Sequence, residues 1–445
     1  MNDDGPARWT RRHLDLLTPG PLTTGPLASA PETTAPPAGA PPRVLPGDDV
    51  WDLWPVQEED GSTSVVLGRE LWMALSAPAA GHPEERHDHA RIRLLARDGD
   101  DWHDLGPAFA DGASPGSREW SGSAVRRPDG TVSVFYTAAG RRGEARPTFL
   151  QSVVETRPAV VVAEGGRVLL DRAAGHREVL RSDGRAYLPA DEIDGGPGRI
   201  RAFRDPGWFR DPADGREYLL VAASVAASVA ASVAASVAGS AAAPAGGDGV
   251  NHGVNDGDGG YMGAVALAEA RDGGWSLLPP LLVADGVSHE IERPHVVVRD
   301  SSYYLFFSTQ RHSFHPPGSA PTGLYGFVAP RLTGPYAPLN GSGLVAANPP
   351  EEPDQAYAWL VLPDLRVVSF VNYRSTGGGA DPWRAGAAEA RAAFGGTIAP
   401  VFRLALDGAR TRVVAPVTGP ITGPTTGPSG GEQRQQGVQP PGREA

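Results

Sequence analysis

The sequence predicts an all-β fold, a five-bladed β-propeller with a central funnel-shaped active site. Three observations point there. The 445 residues include 57 Gly and 44 Pro, about twice their ordinary share, which favours turn-rich sheet over a helical bundle. Five times, a segment with polar or aromatic residues runs into an apolar strand, a turn and a second apolar strand. Three of those turns carry Asp-Gly, the strongest short hairpin signal. An array of ordinary β-sandwiches is the competing arrangement. In a propeller, equivalent strand ends of different blades converge on one pocket, so residues distant in sequence meet.

Taken in order, residues 1–46 form a Pro/Thr/Ala-rich tail that cannot bury enough apolar area to offset its ordering entropy. One island in it, Trp9-Thr10-Arg11-Arg12-His13-Leu14, is suited to dock onto the main domain. The catalytic domain is expected over residues 47–415. Its first repeat is Trp51-Asp52-Leu53-Trp54-Pro55-Val56-Gln57, Asp60-Gly61, then Ser64-Val65-Val66-Leu67. The second is Trp120-Ser121-Gly122-Ser123-Ala124-Val125, Asp129-Gly130, then Val132 to Tyr136; the third is Phe203 to Phe209, Asp214-Gly215, then Tyr218 to Val221. The fourth is Glu292 to Val298, Asp300-Ser301, then Tyr303 to Phe307; the fifth is Tyr357 to Leu362, Pro363-Asp364, then Val367 to Val371. The Ala-Ala-Ser-Val run and the Gly-rich stretch after it read as a low-complexity surface insertion over 222–260, marginally helical at most. Residues 416–445, with repeated Thr-Gly-Pro, read as a disordered tail.

Bulk properties exclude several classes. The formal net charge is −12, the pI is about 5.4, and no Lys/Arg-rich run stands out, so nucleic acid is not an expected partner. Without cysteine there is no disulfide, thiolate metal site or cysteine nucleophile. Met1-Asn2-Asp3-Asp4-Gly5 leads into no apolar region of a signal peptide. Tyr218 to Gly246 lacks charge but is mostly Ala and Ser, too weakly apolar for an expected membrane span. A monomer is expected.

The chemistry concentrates in Ser288-His289-Glu290-Ile291-Glu292-Arg293-Pro294-His295. On a strand, Glu290 and Glu292 share one face, and paired carboxylates raise the pKa of at least one, as a general acid requires. A charged strand end with Arg293 as ion-pair partner is the plainer alternative. Asp52, Asp205 and Glu292 appear at equivalent places in repeats one, three and four, the first two flanked by Trp51, Trp54, Phe203 and Trp208. Aromatic faces beside carboxylates suit sugars, and glycoside cleavage uses two carboxyl groups. Each acid alone also reads as a turn residue. Asn255-Asp256-Gly257-Asp258-Gly259 reads as a Gly-rich turn rather than a calcium loop. Glu85-Arg86-His87-Asp88-His89 reads as a solvated loop rather than a metal site. Glu119-Trp120-Ser121-Gly122-Ser123 is no serine-hydrolase elbow.

Val50-Trp51-Asp52-Leu53-Trp54-Pro55-Val56-Gln57, Glu119 to Ser123, Phe203-Arg204-Asp205-Pro206, Glu290 to Pro294 and Gly323-Leu324-Tyr325-Gly326-Phe327-Val328 resemble the signature blocks of glycoside hydrolase family 68, the levansucrases and inulosucrases. The resemblance implies a five-bladed propeller and a secreted fructosyltransferase that splits sucrose by retaining double displacement and passes fructose to water, sucrose or growing fructan. It implies that Asp52 is the nucleophile, Asp205 the ionised stabiliser of the transition state and Glu292 the acid/base. Trp51, Trp120, Ser121, Arg204, Glu290 and Arg293 would shape the sucrose pocket, with Ser121 bonded to the nucleophile; Arg311 or His312 would take the acceptor-binding role. Arg210-Asp211-Pro212 is a second Arg-Asp-Pro, but Asp205 is preferred because Phe203 precedes it and its place matches the other acids. Many Gram-positive relatives carry Asp before Glu-Ile-Glu-Arg for structural calcium; His289 stands there in this chain, so neither calcium nor a cofactor is expected. A mainly hydrolytic fructosidase and a catalytically inactive sugar-binding propeller stay open as alternatives.

Overall fold

A computed structural model describes residues 5–17, 42–192, 200–226, 261–374 and 383–414. The chain is mostly strand. After the two-residue β1 (Ala7–Arg8), a first group comprises β2 (Asp48–Gln57), the two-residue β3 (Val65–Val66), β4 (Arg69–Pro78), β5 (Arg91–Asp98) and β6 (Asp101–Pro107). A second comprises β7 (Arg118–Arg126), β8 (Val132–Ala139), β9 (Gln151–Thr156) and β12 (His176–Leu180), with the separate hairpin β10 (Val160–Val162) and β11 (Val168–Leu170) between the last two. The third is β13 (Phe203–Arg210), β14 (Glu217–Ala226), β15 (Tyr261–Arg271) and β16 (Gly274–Val283). The fourth is β17 (Glu292–Arg299), β18 (Ser302–Thr309), β19 (Gly323–Ala329), β20 (Ala337–Pro338) and β21 (Leu344–Ala347). The fifth is β22 (Ala356–Val361), β23 (Arg366–Tyr373), β24 (Phe394–Ile398), β25 (Phe402–Asp407) and β26 (Arg410–Val414). Groups one and two join through a short parallel pairing of β2 with β7, Val56 opposite Ala124. Among the described residues no sheet closes on itself.

Each group opens with a strand that packs beside the opening strand of the next: β2 on β7, β7 on β13, β13 on β17, β17 on β22 and β22 back on β2. The apolar core lies between groups. Val125, Phe135 and Val153 meet Phe203, Leu219 and Met262; Leu220 and Val265 meet Leu305 and Phe307; Val50, Leu53 and Trp72 meet Leu362, Val368 and Ile398. The same opening strands enclose a cavity of about 690 Å³, lined by residues such as Trp54, Ser123, Trp208, Val296 and Val361.

The hairpin turns fall where the sequence places them. Gly61, Gly130 and Gly215 take φ of +84°, +84° and +74°, the left-handed backbone that glycine adopts without a Cβ clash. At the fourth turn Asp300 and Ser301 themselves have φ of 49° and 61°, and Arg299 faces Ser302. Two expected segments differ. Of Ser64 to Leu67 only Ser64 reaches β2, its N–H donating to the Val56 carbonyl at 2.7 Å; β3 pairs with Arg69 and Glu70, Val65 and Leu67 stay exposed, and β4 pairs along β2. Residues 222–226 are not insertion but the end of β14, paired with Tyr261 to Val265; β-branched Val225 packs there at full burial. The rest of the Ala-Ala-Ser-Val run and Asn255 to Gly259 lie outside the described residues, as do most of the terminal tails.

The N-terminal island lies on the main body. Ala7–Arg8, β1, runs parallel to the outer strand β16. Trp9 is fully buried among Phe307, Phe314, Tyr325 and Phe327, and its indole N–H donates to the Ser342 carbonyl at 3.0 Å. Leu14, in the short helix α1 (Arg11–Leu14), is buried too.

Candidate active site

The five opening strands share one irregularity. Their pairing slips between Trp51 and Trp54, Trp120 and Gly122, Arg204 and Gly207, Glu292 and His295, and Tyr357 and Leu360. A bulge of this kind re-aims side chains. In four strands the residue at the slip has positive φ: Asp52 at 47°, Asp205 at 57°, Arg293 at 53° and Ala358 at 56°. Asp tolerates this region better than most residues; for Arg293 and Ala358 it is a strained backbone. The register corrects one expectation. Asp52 and Asp205 are equivalent, but Glu292 is not their match: Arg293 is, and Glu292 stands in line with Trp51, Arg204 and Tyr357. The acids therefore project from two successive levels.

They still come together. Ser121 Oγ donates to Asp52 Oδ2, linking the first and second groups. Asp205 is buried; its backbone N–H donates to Thr137 Oγ1 at 2.9 Å, and its carboxylate accepts the Arg293 backbone N–H at 3.2 Å. Arg293 is held from two further groups, donating through Nη1 to the Ala358 carbonyl at 2.8 Å and through Nη2 to the Leu53 carbonyl at 2.7 Å. Arg204 Nη2 donates to both Glu290 Oε1 and, at 3.1 Å, Glu292 Oε1. Its Nη1 is buried with no partner among the described residues, a donor left for a ligand hydroxyl. Glu290 lies just before β17, not on a common strand face with Glu292; what they share is the one guanidinium. Ser313 Oγ donates to Glu290 Oε2 at 2.8 Å, and the Tyr357 hydroxyl donates to Glu292 Oε2.

The electrostatics divide the acids. Burial, reinforced by the Glu290 carboxylate and opposed by Arg204, pushes Glu292 up to about 8. Burial works against Glu290 as well, but Arg204, His289, His312 and the Ser313 hydroxyl hold it below the ordinary carboxylate range. Of two acids competing for one cation, one stays ionised and the other keeps its proton. Burial raises Asp205 to about 6, with Asp52 adding to the rise and Arg204 and Arg293 opposing it. At neutral pH this gives a protonated carboxyl beside an ionised one, the pairing that acid and nucleophile chemistry needs.

The other expected residues sit around this centre. Trp51 is buried, and its ring stacks on His87 at 5.8 Å and 19°. Trp120 is half-buried, and its indole N–H donates to the His87 carbonyl at 3.2 Å. Arg311 is bound twice by Asp354, at 3.1 and 2.9 Å. His312 rests against Trp383 at 5.3 Å, and its buried Nε2 has no partner among the described residues. Asp211 of the second Arg-Asp-Pro accepts from the Tyr303 hydroxyl and the Ala213 N–H, a turn role away from the acids. Glu85 to His89 is not a solvated loop: Arg86 in it is 5% exposed and lies over Trp51. Among the described residues no group of three or more His, Asp or Glu could hold a metal.

Sequence reasoning missed Tyr357 as a site residue, although it marked the head of the fifth repeat; its alignment with Glu292 was the available signal. Thr137 and Ser313 carried no signal: Thr137 meets Asp205 across two groups, and Ser313 reaches Glu290 from the turn after β18.

The chain matches the family described as Levansucrase/Invertase over residues 1–420. It is 32% identical over 387 residues to levansucrase LscA of Pseudomonas savastanoi pv. glycinea, covering 82% of this chain and 85% of that protein. It is 34% identical over 372 residues to a levansucrase of Zymomonas mobilis subsp. mobilis, covering 82% of each. Among solved structures, the inulosucrase from Halalkalicoccus jeotgali bound to kestose superposes with a TM-score of 0.78 at 38% identity, over 93% of this chain and 96% of that one. The levansucrase from Gluconacetobacter diazotrophicus gives 0.70 at 25% identity, over 92% and 90%.

Proposed function

The chain belongs to glycoside hydrolase family 68, the levansucrase/invertase family, and from that premise we propose that it is a retaining fructosyltransferase acting on sucrose. The observation that carries this reading is the cluster of Asp52, Asp205 and Glu292 around Arg204, with Glu292 protonated near neutral pH. In the first step the Asp52 carboxylate attacks the anomeric carbon of the fructosyl unit, while Ser121 holds its Oδ2. The bond to the glucosyl oxygen breaks, and Glu292 gives that oxygen its proton. Asp205, ionised above its value of about 6, faces the positive charge that grows on the ring. In the second step the Glu292 carboxylate takes a proton from an acceptor hydroxyl, and that oxygen displaces Asp52. Water as acceptor gives fructose; sucrose or a fructan chain gives a longer fructan. Retention calls for about 5–5.5 Å between the Asp52 and Glu292 carboxyls.

The closed cycle of packing among β2, β7, β13, β17 and β22 supports a five-bladed propeller, with those strands lining the centre. The carboxyl cluster then lies toward their N-terminal ends and the 690 Å³ cavity along their C-terminal halves.

Incubation with sucrose and separation of the products test the function. Glucose in excess over free fructose is the expected result, and equal amounts would favour the hydrolytic reading. Asp52→Ala should abolish glucose release; near-parental turnover would remove Asp52 from the nucleophile's role.

A further inference from the structure

The bulge that aims Asp205 is closed from the neighbouring group. On β13 the pairing with β14 passes from Arg204 opposite Ala222 to Gly207 opposite Leu220, so Asp205 and Pro206 face no partner in that ladder. A buried backbone donor or acceptor left out of a ladder needs a partner elsewhere. Two hydroxyls of the second group supply it. Thr137 Oγ1, on β8, accepts the Asp205 N–H at 2.9 Å. Ser123 Oγ, on β7, donates to the Pro206 carbonyl at 2.7 Å and accepts the Trp208 N–H at 2.8 Å. Pro206 itself has no N–H to place. The Thr137 hydroxyl has one proton to give, and it goes to the Ser121 carbonyl at 3.2 Å. Ser121 is the residue at the slip of β7, between Trp120 and Gly122, and its own hydroxyl donates to Asp52. Hydrogen bonds therefore run without a break from the Asp52 carboxylate through Ser121 and Thr137 to the Asp205 amide.

We propose that Thr137 is a positioning residue for the sucrose reaction: its hydroxyl fixes the Asp205 backbone against that of Ser121, and so spaces the stabilising carboxylate from the nucleophile, while Ser123 clamps the other side of the same bulge. This rests on Asp52 and Asp205 holding the roles given above. Thr137 and Ser123 are 0% and 4% exposed, so both hydroxyls are shielded from bulk water and their bonds are not exchanged for hydration. Loss of the Thr137 hydroxyl leaves the Asp205 N–H and the Ser121 carbonyl both short of a buried partner, and the backbone must shift to find others. Asp205 faces a charge that develops only in the transition state. A small displacement of its carboxylate therefore lowers kcat while KM stays near the parent's. The same ring charge develops when the fructosyl unit is formed and when it is passed on, so the loss shows whichever step limits the rate.

Steady-state glucose release from sucrose, with thermal unfolding of each variant, separates this role from simple packing. Thr137→Val keeps the outline of the side chain and loses the hydroxyl; it should lower kcat about 10- to 100-fold with KM within about twofold of the parent's. Thr137→Ser keeps the hydroxyl and should hold kcat within about threefold of the parent. Ser123→Ala should lower kcat by about threefold or more, again with little change in KM. Ser133→Ala removes a buried hydroxyl from the start of the same strand, where it accepts from Arg127 at 3.0 Å, and should leave kcat at the parent's value. A folded Thr137→Val with parental kcat overturns the proposal, as does a Thr137→Ser as impaired as Thr137→Val. An equal loss in Ser133→Ala overturns it too, because the loss would then report stability rather than position. If Thr137→Val does not fold, Ser123→Ala decides, and a parental kcat is the contrary result. Asp205→Asn distinguishes the two levels of failure. If it is inactive beside a parental Thr137→Val, this inference alone falls; if it turns over like the parent, the functional reading of Asp205 falls, and this inference with it.

Discussion

Arg204 faces two carboxyls with one nitrogen, and Glu290 and Glu292 part company there. The raised pKa values set the expected pH dependence. kcat/KM should rise as pH passes about 6, where Asp205 ionises, and fall as it passes about 8, where Glu292 loses its proton; both limbs belong to the coupled cluster rather than to single residues. Tyr357→Phe removes a hydrogen bond that favours ionised Glu292, so the basic limb should move to higher pH, and a downward move would contradict the assignment. Stability carries the same sign. Glu292 is raised in the folded state from an ordinary value of 4.5, so its ionisation opposes folding. The penalty is absent below that ordinary value and is complete once pH has risen through about 8. Glu292→Gln should therefore melt higher than the parent in alkaline buffer, with the gap closing in acid. Asp52, Asp205, Glu290, Glu292, Arg204 and Ser121 were legible because each sits in a short run of distinctive residues. Tyr357 was not: its role comes from crossing between groups to reach Glu292, and no local pattern records that.

The bulges explain both the success and the slip of the repeat reading. Each opening strand has one extra residue at the same height, and in four of them it lies in left-handed backbone. Sequence showed that acids recur near strand heads, but alternation cannot locate a bulge, so Glu292 was matched one residue out of line. Pattern also could not tell Val65-Val66 from the true partner of β2, since both stretches are apolar and only pairing distinguishes them. Ala358 offers a direct test of the strained level. Its φ is 56° and its carbonyl accepts from Arg293, so β-branched Ala358→Val should cost about 2 kcal/mol or more in denaturant unfolding. An unchanged midpoint would show that the bulge carries no strain.

Across the whole molecule, apolar interfaces between successive groups hold distant chain segments together, and Arg293 ties its own group to three others. The composition made the all-β class legible, and the five hairpins gave the grouping. The seating of Trp9 among four aromatic rings was foreshadowed only as an apolar island in a polar tail. That contact is structural: Trp9→Ala should lower stability by about 3–5 kcal/mol, seen as a lower Tm, with little change in the pH profile. The account as a whole rests on Asp52 bonding to sugar while Glu292 supplies and recovers the proton. Acid-quenching the enzyme during turnover of sucrose and mapping its peptides by mass spectrometry tests this most directly. The account predicts one added fructosyl unit on the peptide that carries Asp52; a fructosyl unit on a different residue would contradict it.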